Sequence, residues 1–322
     1  MAIIVTGGAG FIGSCLIRML NDNGYRDIIV VDNIQTSEKW KNLLNKEYLE
    51  YYNKDEFLDI LSKIKINVSH VIHMGACSAT TEKNFDYLYN NNLMYTKKLW
   101  QFCIERNASF IYASSAATYG NGEYGFDDKM DINRLRPLNG YGYSKQLFDL
   151  WVQKQQVTPK QYVGLKFFNV YGPNEYYKGP MASVIFHSFN QINESGKVKL
   201  FKSYKKNIDD GGQLRDFVYI KDICKVIKFM MENPNISGLF NLGTGKAESF
   251  LTLAKSTFEA MKLKSNIEFI EMPEHLRAKY QYYTQANVEK LRAVGYKDAF
   301  YSLRDGTADY VMNYLARGNE TY

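Results

Sequence analysis

Cysteine, histidine and proline are all scarce in this chain, at four, four and six residues out of 322. The cysteines (Cys15, Cys77, Cys103 and Cys224) are widely spaced and form no C-x-x-C pair, which argues against a disulfide framework or thiolate zinc site and for reduced thiols. His70, His73, His187 and His275 lack metal-ligand spacing, so no metal is expected. No apolar run approaches the roughly 20 residues that cross a bilayer. The opening "MAIIVTGGAG" enters a strand-like run without a basic leader, and the expectation is a cytoplasmic protein with no membrane partner. Repeats, low-complexity tracts and Pro/Ser-rich linkers are also missing. The net charge of +6 comes from 40 basic residues dispersed among 34 acidic ones, without a basic arm or nucleic-acid motif, so no nucleic acid is expected. A mild positive balance suits a small polyanion such as a nucleotide diphosphate.

What is present is a regular alternation. "AIIVT" (2–6), "DIIVV" (27–31), "VSHVIHM" (68–74), "ASFIYAS" (108–114) and "YVGLKFF" (162–168) read as buried strands. Helical stretches separate them, most clearly 82–106 and 142–156. The pattern predicts an α/β fold with a doubly wound parallel sheet. After about residue 170 the loops lengthen and the elements become short and mixed. "RDFVYI" and "LFNLG" read as strands, and 299–316 as a closing helix. We therefore expect a Rossmann-type dinucleotide-binding domain over 1–168, with a returning segment near 214–243. A smaller mixed α/β substrate-binding domain takes up most of 169–322.

"VTGGAGFIG" (5–13) carries G-x-x-G-x-x-G on Gly7, Gly10 and Gly13. A glycine pattern alone means little, but this one follows a strand and opens a helix. There glycine permits a tight turn and close approach of a pyrophosphate to the helix N-terminus. Asp32 ends the second strand, 19 positions after Gly13. An acid at that place accepts hydrogen bonds from ribose hydroxyls and by itself favours NAD. Asn33, Lys39 and Lys54 are near enough in sequence to neutralise a 2′-phosphate, so spacing leaves NAD and NADP both open.

In a chain with 26 tyrosines, Y-x-x-x-K is expected by chance, and it occurs twice. Tyr162 and Lys166 fall on a predicted strand, where four residues span about 13 Å and cannot cooperate. Tyr141 and Lys145, in "YGYSK", open a predicted helix, where positions i and i+4 are about 6 Å apart. A cation there is expected to lower the tyrosine pKa toward that of a general base. Ser115, in "YASSAATYG", ends a strand at the sheet edge where ligands bind. Lys178, in "PNEYYKGPMAS", would ordinarily be a solvated surface lysine.

Together "TGGAGFIG", "SSAATYG" and "YGYSK" resemble the extended short-chain dehydrogenase/reductase family that acts on nucleotide sugars. "GACSATTE", "PLNGYGYSK", "FFNVYGP", "KGPMASVIFH", "LRDFVYIKDI", "FNLGTGKAESF" and "YTQAN" are similar to its ADP-heptose 6-epimerase branch, from the first residues to near 290. The resemblance implies bound NADP, with NAD the lesser expectation, transient oxidation at C6 of an ADP-sugar, and a homo-oligomer. It implies a role in the lipopolysaccharide inner core. The catalytic residues it implies are Ser115, Tyr141 and Lys145, with Lys178 as a further acid/base. Cofactor contacts fall on Gly7, Gly10, Phe11, Ile12, Gly13, Asp32, Asn33, Lys39, Lys54, Met74, Gly75, Ala76, Cys77, Ser78, Asn91, Lys145 and Val170. Substrate contacts fall on Ser115, Asn169, Lys178, Pro180, His187, Phe201, Lys202, Ser203, Tyr204, Arg215 and Tyr280. Taken alone, His187 reads as a satisfied helix histidine and Arg215 as an exposed ion pair. The alternatives are another nucleotide-sugar epimerase or reductase and a non-catalytic nucleotide-sugar binder. A 4,6-dehydratase is disfavoured, because Ala116 and Ala117 follow Ser115 where that branch has acids.

Overall fold

The apolar runs become strands because each is β-branched, short and buried on both faces. The computed structural model describes residues 1–277 and 280–322. Six strands appear first: β1 (Ala2–Thr6), β2 (Ile28–Asp32), β3 (Glu50–Asn53), β4 (Val68–His73), β5 (Ser109–Ser115) and β6 (Gln161–Phe167). Three that lie elsewhere follow: β7 (Asn169–Tyr171), β8 (Val198–Phe201) and β9 (Leu214–Tyr219). The chain then returns with β10 (Gly238–Leu242) to complete a seven-stranded sheet in the order β10-β6-β5-β4-β1-β2-β3. Every pairing in it is parallel. Val5 lies between Val30 and Ile72 in register.

Alternation along each strand divides the core in two. Ile3, Val5, Ile28, Val30 and Ile72 face one cluster, with the helices Phe11–Asp22 and Ile220–Glu232. Ala2, Ile4, Ile29, Val31 and Val71 face the other, with Tyr95–Glu105 and Gly140–Val152. Each large side chain fully buried here stabilises the fold by roughly 1.5–3 kcal/mol. Among the described residues, no helix is long and apolar enough to cross a membrane.

The remaining strands form two small sheets. β9 pairs in parallel with β7 and antiparallel with β11 (Ala247–Ser249). β8 pairs in parallel with β12 (Ile267–Ile270). "RDFVYI" is thus a strand, though of the small sheet, while "LFNLG" joins the large one. The helices Val184–Ser195 and Phe250–Ala260 pack on β8 through Ile192, Leu200, Ala254 and Phe258. The closing helix is shorter than expected, Leu303–Asn313. Beyond it the chain turns back: Tyr322 Nα–H donates to Asn174 Oδ1 (2.9 Å), Lys46 Nζ donates to the Tyr322 carbonyl (2.7 Å), and Tyr176 Oη donates to the Glu320 carbonyl (2.6 Å).

One charge pair is buried between sheet and helix. Lys166 on β6 is 1% exposed and Asp149 on the helix Gly140–Val152 is 0% exposed, with Nζ and Oδ2 2.8 Å apart. Lys166 also donates to Thr118 Oγ1 (2.7 Å), and Asp149 accepts from Ser114 Oγ (2.7 Å) and Tyr112 Oη (3.2 Å). Tyr162 packs instead against Trp100, so the second Y-x-x-x-K match makes no functional pair. Lys166→Met leaves a buried carboxylate without its cation, and should destabilise the protein by about 3–5 kcal/mol. Denaturant midpoints would measure this, and an unchanged midpoint would refute it.

Candidate active site

β1 continues to β2 on one side, while β4 lies on its other side. A crevice opens at the carboxyl ends of the strands at that switch point. The loop after β1 enters it under steric constraint. Gly7 has φ +67°, and a Cβ there would stand 2.6 Å from the amide nitrogen of Gly75, beyond β4. A Cβ on Gly13 would stand 2.2 Å from the Gly7 carbonyl oxygen. Only glycine fits either place. The helix Phe11–Asp22 starts at Gly10 without a side-chain cap, which leaves the amides of its first turn to meet an anion.

Asp32 fixes this loop. Its Oδ2 accepts from the amides of Ala9 (2.8 Å) and Gly10 (3.1 Å). Its Oδ1 accepts from the Asn33 amide (2.6 Å) and Lys39 Nζ (2.7 Å). Four donors fill the roughly four acceptor sites of a carboxylate. Lys54 does not reach Asp32 but pairs with Asp55 at 2.5 Å.

Two adjoining cavities occupy the crevice and share Gly7, Asp32, Lys39, Gly75 and Ala76. One, of about 220 Å³, is lined also by Asn33, Lys54, Cys77 and Asn91. The other, of about 330 Å³, is lined by Gly10, Phe11, Ile12, Gly13, Met74, Ser78, Val170, Ser115, Tyr141, Lys145 and Lys178. Every cofactor candidate from the sequence thus lines one of the two. The cleft has the uncapped helix end and the close glycine contacts that a nicotinamide dinucleotide requires.

Ser115 ends β5, and its Oγ accepts the Ala117 amide (3.1 Å). Tyr141 opens the helix capped by Asn139, whose Oδ1 accepts the Gly142 amide (2.8 Å). The Tyr141 hydroxyl has the Ser115 side chain as hydrogen-bond partner. Lys145 Nζ donates to the Ala113 carbonyl (2.8 Å) rather than to the tyrosine. The expected depression of the tyrosine pKa is absent: burial raises it, and the Ser115 hydrogen bond only partly offsets this. Burial also brings Lys145 down to about 8, against the pull of Asp149. In both groups the largest cause is desolvation of the charged form.

Lys178 lies in the helical turns of Tyr176–Met181, which kink at Gly179, with its Nζ 5.2 Å from the centre of the Phe11 ring. Tyr176, two residues before it, stacks on Tyr310. Burial lowers the Lys178 pKa, against the pull of Glu175.

The substrate candidates are more scattered. Arg215 is 7% exposed, lies 5.6 and 5.5 Å from the Phe250 and Tyr280 rings, and donates to the carbonyls of Leu214 and Gln281. It is not the exposed ion pair its sequence context favours. Tyr280 packs edge-on against Phe201 (6.4 Å), and both line a further cavity of about 160 Å³ with Phe250 and Val184. Lys202 and Tyr204 both bind Glu271, and the Ser203 amide donates to Asp210 (2.6 Å). His187 packs on Phe186. Asn169 and Pro180 are exposed and line none of these cavities.

Two residues escaped the sequence reading. Asn92 lies in a π-helical turn, Tyr89–Met94, inside what reads as one continuous helix. Its side chain accepts from the Cys77 amide (2.9 Å), and donates to the Cys77 carbonyl (3.0 Å) and Ser144 Oγ (3.0 Å). It thereby ties the loop after β4 to the Tyr141 helix. The only signal was a run of three asparagines in an otherwise amphipathic stretch. Glu175, three residues before Lys178, is fully buried.

Comparison with known proteins agrees with this geometry. Residues 3–243 match the model of the NAD dependent epimerase/dehydratase family. The chain is 51% identical over 326 residues to the ADP-L-glycero-D-manno-heptose-6-epimerase of Fusobacterium nucleatum, covering 98% of each chain. It is 46% identical over 314 residues to that of Brachyspira hyodysenteriae, covering 96% of each. The crystal structure of Helicobacter pylori ADP-L-glycero-D-manno-heptose-6-epimerase superposes with a TM-score of 0.81 at 29% identity, over 97% of this chain and 95% of that one. With its glycine loop, its tyrosine–lysine helix and its sheet order, the chain belongs to the NAD dependent epimerase/dehydratase family.

Proposed function

We propose that this chain converts ADP-D-glycero-D-manno-heptose to ADP-L-glycero-D-manno-heptose, by transient oxidation and re-reduction at C6 of the sugar, for the lipopolysaccharide inner core. The observation that carries the reading is one cavity lined by two independent proton-transfer groups, Tyr141 and Lys178. The names of the relatives that span the chain supply the sugar.

A nicotinamide dinucleotide bound in the cleft supplies the hydride acceptor and donor. The residues that would hold it are the first-turn amides from Phe11 to Gly13 at its phosphates, in the loop that Asp32 braces, then Asn33, Lys39 and Lys54 at the adenosine ribose, and the 74–78 segment, Asn91, Lys145 and Val170 beyond. We read the group as NADP. Asp32, with four donors already on it, has no acceptor site left for a ribose hydroxyl, while Lys39 keeps two ammonium hydrogens and Lys54 lines the same cavity. Arg215, Phe201 and Tyr280 would contact the ADP portion, with His187, the 202–204 segment, Asn169 and Pro180 at its margins.

Inverting a carbinol carbon requires its oxygen to lose and regain a proton with the carbon showing opposite faces. Rotation about C5–C6 moves that oxygen, and a tyrosine placed within about 3 Å of one position is badly placed for the other. Tyr141, partnered by Ser115, serves one epimer. Lys178, on a separate segment and with its ammonium form disfavoured by burial, serves the other.

Three outcomes follow. Cofactor released by denaturation should have the mass of NADP, and exclusively NAD would overturn that assignment. Tyr141→Phe should retain cofactor while epimerisation falls about 10²–10⁴-fold; near-normal turnover would remove Tyr141 from the chemistry. Lys178→Met should abolish epimerisation yet spare turnover in one stereochemical sense, measured with each epimer by single-turnover absorbance of the reduced nicotinamide. If both half-reactions weaken equally and only affinity changes, Lys178 is a diphosphate clamp.

A further inference from the structure

The segment 172–183, which carries Lys178 to the cavity, is closed at its base by a carboxylate that the reaction above does not use. Glu175 is 0% exposed. Its Oε1 accepts from Ser183 Oγ (2.6 Å) and the Gly172 amide (3.4 Å), and its Oε2 accepts from the Ser183 amide (2.7 Å). Burial raises the Glu175 pKa, and Lys178 and the three donors, the set that an ionised carboxylate needs and a protonated one cannot fully use, act against it. Its own carbonyl accepts the Lys178 amide (3.0 Å). Ser183 in turn caps the helix Val184–Ser195, its Oγ accepting the Phe186 amide (3.3 Å).

We propose that Glu175 is a positioning residue for Lys178: its buried carboxylate both latches the segment shut and supplies the negative charge that keeps the ammonium at the cavity wall. The surroundings favour this. The other groups facing Glu175 are Tyr176 on its own segment, Tyr310 from the helix Leu303–Asn313, and Cys15 from the helix Phe11–Asp22. Burial holds all three in their neutral forms, raising each pKa. Lys46 and Lys221 act on Cys15 from the same region. Lys178 is itself desolvated, with the Phe11 ring as its other neighbour. Burial alone favours the neutral amine, and the carboxylate is the group that opposes it. A lysine that must give as well as take a proton needs both influences.

The inference rests on the proposed role of Lys178, so its test reads the lysine directly as well as through turnover. Competitive acetylation of the intact protein across pH, with the Lys178 peptide followed by mass spectrometry, reports its titration without any substrate. In Glu175→Gln, which keeps the side-chain shape and removes the charge, Lys178 should titrate at lower pH. The limb of the single-turnover rate profile that Lys178→Met abolishes should move the same way, and the limb lost in Tyr141→Phe should stay. Ser183→Ala, which removes one latch bond but keeps the charge, should leave the Lys178 titration in place. An unmoved titration in Glu175→Gln, or an equal shift in Ser183→Ala, overturns the charge role. A shifted titration with an unmoved rate limb upholds Glu175 and removes Lys178 from the chemistry. Should Glu175→Gln fail to fold, Glu175→Asp, which retracts the charge by one methylene, carries the same expectation.

Discussion

The architecture of the site depends on how closely two stretches of backbone approach each other. After β1 the chain passes within contact distance of the chain after β4, and Gly7 and Gly75 leave no room between them for a side chain. That approach is possible only because the parallel sheet reverses its winding direction there, which brings the ends of two neighbouring strands together with no helix between them. The carboxylate of Asp32 then holds the loop from a third strand. Loop, helix end and crevice are fixed by main-chain geometry and by the Asp32 carboxylate, and the other side chains form the lining.

The large sheet was legible because its strands are short apolar runs with buried residues on both faces, and a 3.6-residue period separates them. β3 was not: "EYYN" is an edge strand with exposed and half-exposed side chains, and an edge has no second buried face to mark it. The glycine loop and the Tyr141–Lys145 pair were legible because local spacing defines them. The lysine's effect on the tyrosine was misjudged, since sequence separation gives the distance between two charges but says nothing of their desolvation. Lys202 and Tyr204 were named on the resemblance alone, and Glu271, which both of them bind, lies almost 70 positions on. Asn92 and Glu175 make long-range or buried contacts with backbone that no local pattern announces.

Charge is treated differently at the two ends of the cleft. At the Asp32 end the carboxylate is saturated and Lys39 is already paired, so the surface offers directed donors with little desolvation left to overcome. At the Lys145 end a buried lysine, a half-buried lysine and a half-buried tyrosine have few countercharges, and desolvation displaces all three toward their neutral forms. The two ends of one groove are thus distinguished by how completely each charge is satisfied.

The way the chain turns back near residue 322 bears on the order in which the parts come together. The segment leading to Lys178 is held by Ser14, Cys15 and Asn42 on one side and by Glu320 and Tyr322 on the other, at sequence separations of 132 to 160. A chain leaving the ribosome presents the glycine loop, Ser115, Tyr141 and Lys145 while more than half of itself is still to be made. The wall that carries Lys178 gains its last supports only when residues 320–322 have emerged. The far wall of the crevice is therefore held by contacts of long sequence separation, whose loop-closure entropy exceeds that of the Asp32 contacts with Ala9 and Gly10, 23 and 22 positions apart.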